Sequence, residues 1–218
     1  MKEKFMNGLL TLAVVLMMQL LWWFGIHGPN VMSAVTTPFM TKMMATNLEL
    51  YQAGEGVTSA GVFYSAGSQY NIISGPFGSG WFSPTGSGIT MGLIIAVMLF
   101  SKRDDFKAIA KLAIPCGIFN INEPIIFGIP MVMNPMFAVP FFLAPIACVC
   151  CGYLVQSLGL CPLFVIDVPW TTPVGLFGFL ASSGNIMGAI WQVVIIVGVS
   201  TLIYTPFVIA ANRQEAAA

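Results

Sequence analysis

Apolar residues run along this chain in long unbroken blocks, not in a helical stripe or a strand alternation. Asn7–Phe24 is apolar apart from Asn7, Thr11 and Gln19, and Gly86–Phe100, Met136–Leu160 and Ile186–Ala211 contain no charged residue. A membrane-crossing helix needs roughly 20 mainly apolar residues. Backbone groups in lipid must be satisfied internally, and continuous runs point to helices where alternation would point to barrel strands. Two further apolar stretches, Pro29–Thr46 and Leu112–Pro135, are interrupted by Pro and Asn, the second also by Gly. Irregular backbone at membrane depth is tolerated where protein buries it or where it lines a watery cavity, and paired interrupted segments point to a binding site. The pattern therefore predicts an all-α integral membrane protein with four to five transmembrane helices and two re-entrant hairpins facing one cavity. A fifth span would run through Pro162–Leu180 but is broken by Pro169 and Pro173. Leu48–Pro84, rich in Gly and Ser, reads as a long, partly extended loop. Gly184 and Gly188 have the spacing that supports close helix packing.

Composition makes the bilayer the solvent. The 218 residues are 57% hydrophobic and 7% charged, with mean hydropathy +0.88. Eight basic and eight acidic residues cannot cover a soluble surface. Zero net charge argues against nucleic acid. The basic residues also sort the sides, since Lys and Arg near span ends stay cytoplasmic. Lys2 and Lys4, the cluster Lys102, Arg103, Lys107 and Lys111, and Arg213 all fall inside with four crossings. Met1–Gly25 resembles a signal peptide in outline. Its long apolar run ends at Trp22 and Trp23 with no cleavage pattern, so it reads as a retained span. The five cysteines have no metal-like spacing with the single His and read as small buried hydrophobes. No metal site is expected.

Few polar groups interrupt the apolar segments, and each is costly there. His27 sits between glycines that allow close backbone approach to a ligand; an interfacial His at a span end accounts for it equally well. Glu123 lies in an Asn-x-Asn-Glu sequence flanked by apolar residues. It suits a general base, against the plainer reading of an acid capping a broken helix. Asp167 precedes a Pro-rich turn in which Trp170 offers a flat face to a sugar ring and Thr171 and Thr172 offer hydroxyls, although a Trp at the membrane interface is equally ordinary. Gly86, Ser87 and Gly88 open a span where helix N–H groups can meet a polar ligand; the bland alternative is a glycine turn. Amides, hydroxyls, one Trp, one His and one acid suit a neutral, hydroxyl-rich solute better than an ion.

Four motifs stand in order along the chain: Trp23–Asn30 (WFGIHGPN), Thr85–Leu93 (TGSGITMGL), Phe119–Pro135 (FNINEPIIFGIPMVMNP) and Pro169–Pro173 (PWTTP). Together they resemble the membrane IIC component of the phosphoenolpyruvate-dependent sugar phosphotransferase system, in its lactose/cellobiose/diacetylchitobiose family, over nearly the whole chain. The resemblance implies a multi-pass protein of the bacterial cytoplasmic membrane that binds a β-linked disaccharide and moves it across. The cytoplasmic IIB protein, itself charged by IIA, then phosphorylates the sugar from a phosphocysteine, typically at a 6-hydroxyl. Whether the chain counts as an enzyme depends on that separate donor. By matching position, Glu123 accepts or orients the hydroxyl proton and His27 assists at the same hydroxyl. Gly86, Ser87, Asn122, Trp170 and Thr171 contact the sugar, and no cofactor is needed.

Family members carry an additional N-terminal half that supplies the dimer interface. Residues 1–218 are expected to be a single membrane domain corresponding to the C-terminal, substrate-binding half, with a separate N-terminal half as a candidate partner. The alternatives are a truncated, non-transporting remnant and an unrelated solute channel using Glu123 as a filter.

Overall fold

Gly25, with φ +78°, and His27 turn the chain between two long helices in the computed structural model of the protein, which describes residues 2–65 and 68–215. Helix α1 is Lys2–Trp23 and α2 is Gly28–Gln52. They pack along each other, and a Cβ on Gly28 would collide with the Met18 carbonyl. Gly28 therefore serves helix packing and Gly25 the turn.

The first predicted hairpin is not interrupted. Pro29–Thr46 lies within the single 25-residue α2. Pro29 falls in the first turn, where its missing N–H costs nothing. Pro38 removes one internal bond without ending the helix. The expected loop Leu48–Pro84 is also more structured than its composition suggests. It opens on the last turn of α2, contains an antiparallel ribbon (β1 Val57–Thr58, β2 Gly61–Val62) and ends in the short α3, Gly75–Trp81. Residues 66 and 67 within it lie outside those described.

Gly86–Phe100 is only partly helical. Thr85, Gly86, Gly88 and Ile89 have positive φ, which no regular helix admits. The helix α4 is left with Met91–Phe100, ten residues or about 15 Å. That is half a span. Helix α5 (Asp104–Ile118) returns beside α4, the chain turns at Asn120 (φ 66°), and the short α6 (Glu123–Gly128) doubles back along α5. The interrupted stretch Leu112–Pro135 thus folds as a helix–turn–helix.

Helix α7 (Pro135–Ser157) carries Pro140 and Pro145 without breaking. The chain then runs extended from Cys161 to Val168, where Leu163 donates to the Val62 carbonyl (2.8 Å) and Val165 to that of Ala181 (2.9 Å). After the short α8 (Leu176–Ala181), Ile186 begins a continuous helix made of α9 (Ile186–Val193), a π-helical segment (Val194–Val199) and α10 (Ser200–Glu215). Gly188 packs against the Gly178 carbonyl, but it does so without Gly184, so the pair does not form a helix-packing motif. Gly184 itself is a turn residue at φ +83°.

Among the described residues, α7 and the α9–α10 rod are long and apolar enough to cross a membrane unaided; α1 contributes the shorter apolar run Gly8–Trp23. Asn212, near the end of α10, donates to the Phe100 carbonyl (2.9 Å) and accepts from the Lys102 N–H (2.9 Å). The neighbouring Arg213 is therefore held on the same side as the Lys102 loop, as charge sorting requires.

Two apolar clusters carry the packing. One is built on Phe77, Trp81, Phe164 and Phe177, with Trp81 and Phe164 stacked at 5.3 Å. The other is built on Ile94, Phe106, Phe137, Phe141 and Tyr204. Gly152 of α7 lies against the Trp81 indole, and a Cβ there would stand 2.5 Å from Trp81 Cδ2. Gly152→Ala is expected to destabilise the fold by about 1–3 kcal/mol through overpacking, read as a lower midpoint of thermal unfolding in detergent. An unchanged midpoint would show that the indole has room to move.

Candidate functional site

One cavity of about 600 Å³ lies at the seam of the two clusters: Met18 of the first and Trp22 of the second both line it. Its walls come from α2, α3, the Ser83–Ser87 turn, the Asn120–Glu123 turn, Asp167 and Trp170.

The glycine loop Thr85–Thr90 is held from several directions. Asn120 accepts from the Thr85 N–H through Oδ1 (2.7 Å). Its Nδ2 donates to the carbonyls of Trp170 (2.5 Å) and Thr172 (2.9 Å). One side chain thus ties three of the sequence motifs' loops together. Asn122 donates through Nδ2 to the Ser87 carbonyl (2.7 Å). At Gly88, the N–H reaches Gln19 Oε1 of α1 (2.9 Å) and the carbonyl accepts from the Tyr204 hydroxyl of α10 (2.8 Å). Within the loop, Thr90 Oγ1 donates to the Thr85 carbonyl (2.9 Å).

This network compensates for backbone strain. Thr85, Ile89 and Asn120 sit at φ 63°, 51° and 66°, each costing about 1–2 kcal/mol for an L-residue. Gly86 is needed on two counts: its φ is +86°, and a Cβ would meet the Asn122 side chain.

Of the residues expected to act, His27, Glu123, Gly86, Ser87, Asn122 and Trp170 all line this cavity, together with Asp167. Thr171 is not among its lining residues. The turn in which the Thr172 N–H donates to the Pro169 carbonyl (2.9 Å) brings Trp170 to the cavity and leaves Thr171 half-buried outside the lining.

His27 caps α2, its Nδ1 accepting from the Asn30 N–H (3.3 Å). In the neutral ring that bond places the proton on Nε2, leaving a donor. The Trp22 ring lies 5.0 Å from the imidazole. Glu123, the first residue of α6, is half-buried. It is neither fully enclosed nor, among the described residues, paired with a Lys or Arg. Ser87 is 2% exposed, and its Oγ has no partner among the described residues. A buried hydroxyl of that kind calls for water or a ligand.

Several supporting residues were not singled out from the sequence. Gln192 accepts from the Gly175 and Gly178 N–H groups (2.9 and 2.8 Å) and donates to the Gly80 carbonyl (3.2 Å). Gln19 and Tyr204 are equally buried. The signal for the two glutamines was available: an amide inside a charge-free apolar run needs a polar partner.

Half-helices and irregular loops converging on a polar cavity, beside apolar rods of membrane-spanning length, define a helical membrane protein of transporter build. Comparison with known proteins gives the family. The model for "Phosphotransferase system, EIIC" matches residues 4–145, and the chain belongs to that family. It is 35% identical over 214 residues to the oligo-beta-mannoside-specific EIIC component of Bacillus subtilis (strain 168), covering 95% of this chain and 44% of that protein. With the cellobiose-specific EIIC component of Lactococcus lactis subsp. lactis (strain IL1403), identity is 36% over 214 residues, 94% and 43% of the two chains. The crystal structure of the transporter ChbC, the IIC component from the N,N'-diacetylchitobiose-specific phosphotransferase system, superposes with TM-score 0.84 at 33% identity, over 95% of this chain and 45% of that one. The protein is thus an integral membrane protein of the IIC fold. It spans slightly under half the length of the curated relatives it matches.

Proposed function

We propose that this chain is the sugar-binding part of a phosphotransferase permease in a bacterial cytoplasmic membrane, taking a β-linked disaccharide. The carrying observation is the cavity lining. Six of the seven expected site residues meet there, and the lining holds hydroxyls, amides, His27, Trp170 and the carboxyls of Glu123 and Asp167, with no Lys or Arg among the described residues. Such a surface recognises a neutral polyol and repels a free anion. The names of the relatives, specific for oligo-beta-mannoside, cellobiose and diacetylchitobiose, support the same class.

In this reading one sugar hydroxyl lies between His27 and Glu123. The phosphocysteine of the IIB partner delivers its phosphoryl group: the S–P bond breaks, an O–P bond forms, the hydroxyl proton passes to the Glu123 carboxylate, and the thiolate leaves. Phosphoryl transfer needs chiefly positioning and charge stabilisation, and the His27 Nε2–H can supply both. Gly86, Ser87 and Asn122 hold sugar hydroxyls, Asn122 through Oδ1 and the Nδ2 proton not given to the Ser87 carbonyl; Trp170 packs on a ring face.

Equilibrium binding of cellobiose, diacetylchitobiose and lactose to the purified protein in detergent tests the reading. Saturable binding to at least one is expected, weakened about tenfold or more by Glu123→Ala, as fits loss of a charged hydrogen-bond acceptor. Absence of binding to all three would favour a non-transporting remnant. Ion conductance without sugar binding would favour a channel.

A further inference from the structure

Two carboxyls face the cavity, and phosphoryl transfer at Glu123 leaves the other unused. Asp167 stands near the end of the extended Cys161–Val168 run, is exposed, and lines the cavity beside Trp170. Among the described residues it makes no ion pair and no hydrogen bond. The turn that follows it is closed by backbone groups, Thr172 N–H to the Pro169 carbonyl, so the carboxyl is not needed there. An acid without a structural task is costly inside a membrane protein, and its charge itself calls for a use.

Asn120 sets the two carboxyls on adjoining loops. Its Nδ2 donates to the Trp170 carbonyl (2.5 Å). Glu123 is three residues from Asn120 and Asp167 three residues from Trp170, a reach of at most about 11 Å each. Both acids therefore lie near one junction and face one cavity. Nothing in the lining offsets them: His27 is its only other titratable residue, and Lys42 of α2 belongs to a shallow outer groove, not to the cavity.

These charges are indifferent to a neutral sugar and hostile to its phosphate ester. A phosphate monoester carries about −1.5 to −2 charge at pH 7. Like charges repel far more strongly beside a protein wall than in bulk water. The incoming phosphoryl group is held by the docked IIB protein; the finished product has no such hold. Transfer thus turns a neutral guest into an anion in a cavity with no Lys or Arg to receive it.

We propose that Asp167 is a specificity-determining residue that expels phosphorylated sugar: its carboxylate leaves the neutral saccharide alone and weakens the hold on the phosphate ester, so product departs and sugar phosphate does not refill the cavity. This rests on the saccharide-binding reading above and adds to it the discharge of product.

The test is displacement of bound cellobiose by cellobiose 6′-phosphate, on the purified native protein, Asp167→Asn and Asp167→Glu. Asparagine matches aspartate in size and removes the charge; glutamate keeps the charge. Asp167→Asn is expected to bind the phosphate about tenfold more tightly than the native protein, with cellobiose affinity within about twofold. Asp167→Glu should reject the phosphate as the native protein does, and added salt should narrow the gap between native and Asp167→Asn. A phosphate affinity in Asp167→Asn that stays at its native value, or rises only in step with that for cellobiose, overturns the proposal and leaves saccharide binding intact. Asp167→Glu behaving like Asp167→Asn would also overturn it, since charge would then not be the cause. Failure of the native protein to bind cellobiose overturns both readings.

Discussion

Glu123→Gln is expected to reduce sugar phosphorylation by roughly 10²–10⁴-fold, the usual worth of a positioned general base, with sugar affinity changed far less. Glutamine matches the carboxylate in size and keeps one acceptor oxygen, so a hydroxyl can still bind, but it cannot take the proton. The substitution should not unsettle the fold. Glu123 is half-buried at the head of α6, and among the described residues no Lys or Arg pairs with it, so no buried cation is stranded. The measurement is phosphorylation of cellobiose by phosphorylated IIB with the protein in liposomes, resolved into kcat and KM. A fall in kcat at constant KM identifies a residue acting in the transition state. Unchanged phosphorylation would remove Glu123 from the chemistry and leave it the helix-capping acid of the plainer reading.

Asn120→Ala should be the most damaging change to the site among residues that need not touch sugar. It deletes the bonds to the Thr85 N–H and to the Trp170 and Thr172 carbonyls. Thr85 is buried, and stranding its N–H alone costs about 1–3 kcal/mol. Alanine is also a poor occupant of φ 66°. A total loss of about 2–4 kcal/mol is expected, together with weaker sugar binding, because the glycine loop and Trp170 lose their common tether. Asn120→Gly separates the two causes. It restores the backbone conformation without the bonds, so it should recover part of the thermal stability but little of the affinity. Sugar binding at native strength in Asn120→Ala would show that the three loops hold their places without it.

Much of the architecture was legible because the membrane restricts what apolar runs can become. Asn7–Phe24, Met136–Leu160 and Ile186–Ala211 are helices where the pattern placed them, and the Leu112–Pro135 stretch is broken into two helices and a turn. Proline misled at Pro29–Thr46. A Pro in the first turn and a single Pro in the interior differ little from helix breakers in a one-dimensional reading, yet α2 accommodates both. Glycine misled in the other direction at Gly86–Phe100, where an apolar, uncharged run suggested a full span. Positive φ at Thr85, Gly86, Gly88 and Ile89 unwinds its first third, and that conformation is imposed by partners as distant in sequence as Gln19 and Tyr204.

The sequence by itself determined the solvent, the helical class and the chemistry on offer: bilayer composition, uninterrupted apolar runs, and a few polar residues too costly in lipid to be incidental. Only the tertiary structure decided how those residues divide their work. Asn120 became a tether and Asn122 a partial one, and Thr171 fell outside the cavity. The reason is physical. Hydropathy depends on residue type and survives in one dimension, whereas a side-chain amide's role depends on which donors and acceptors it meets, and here those lie from 35 to 52 residues away along the chain.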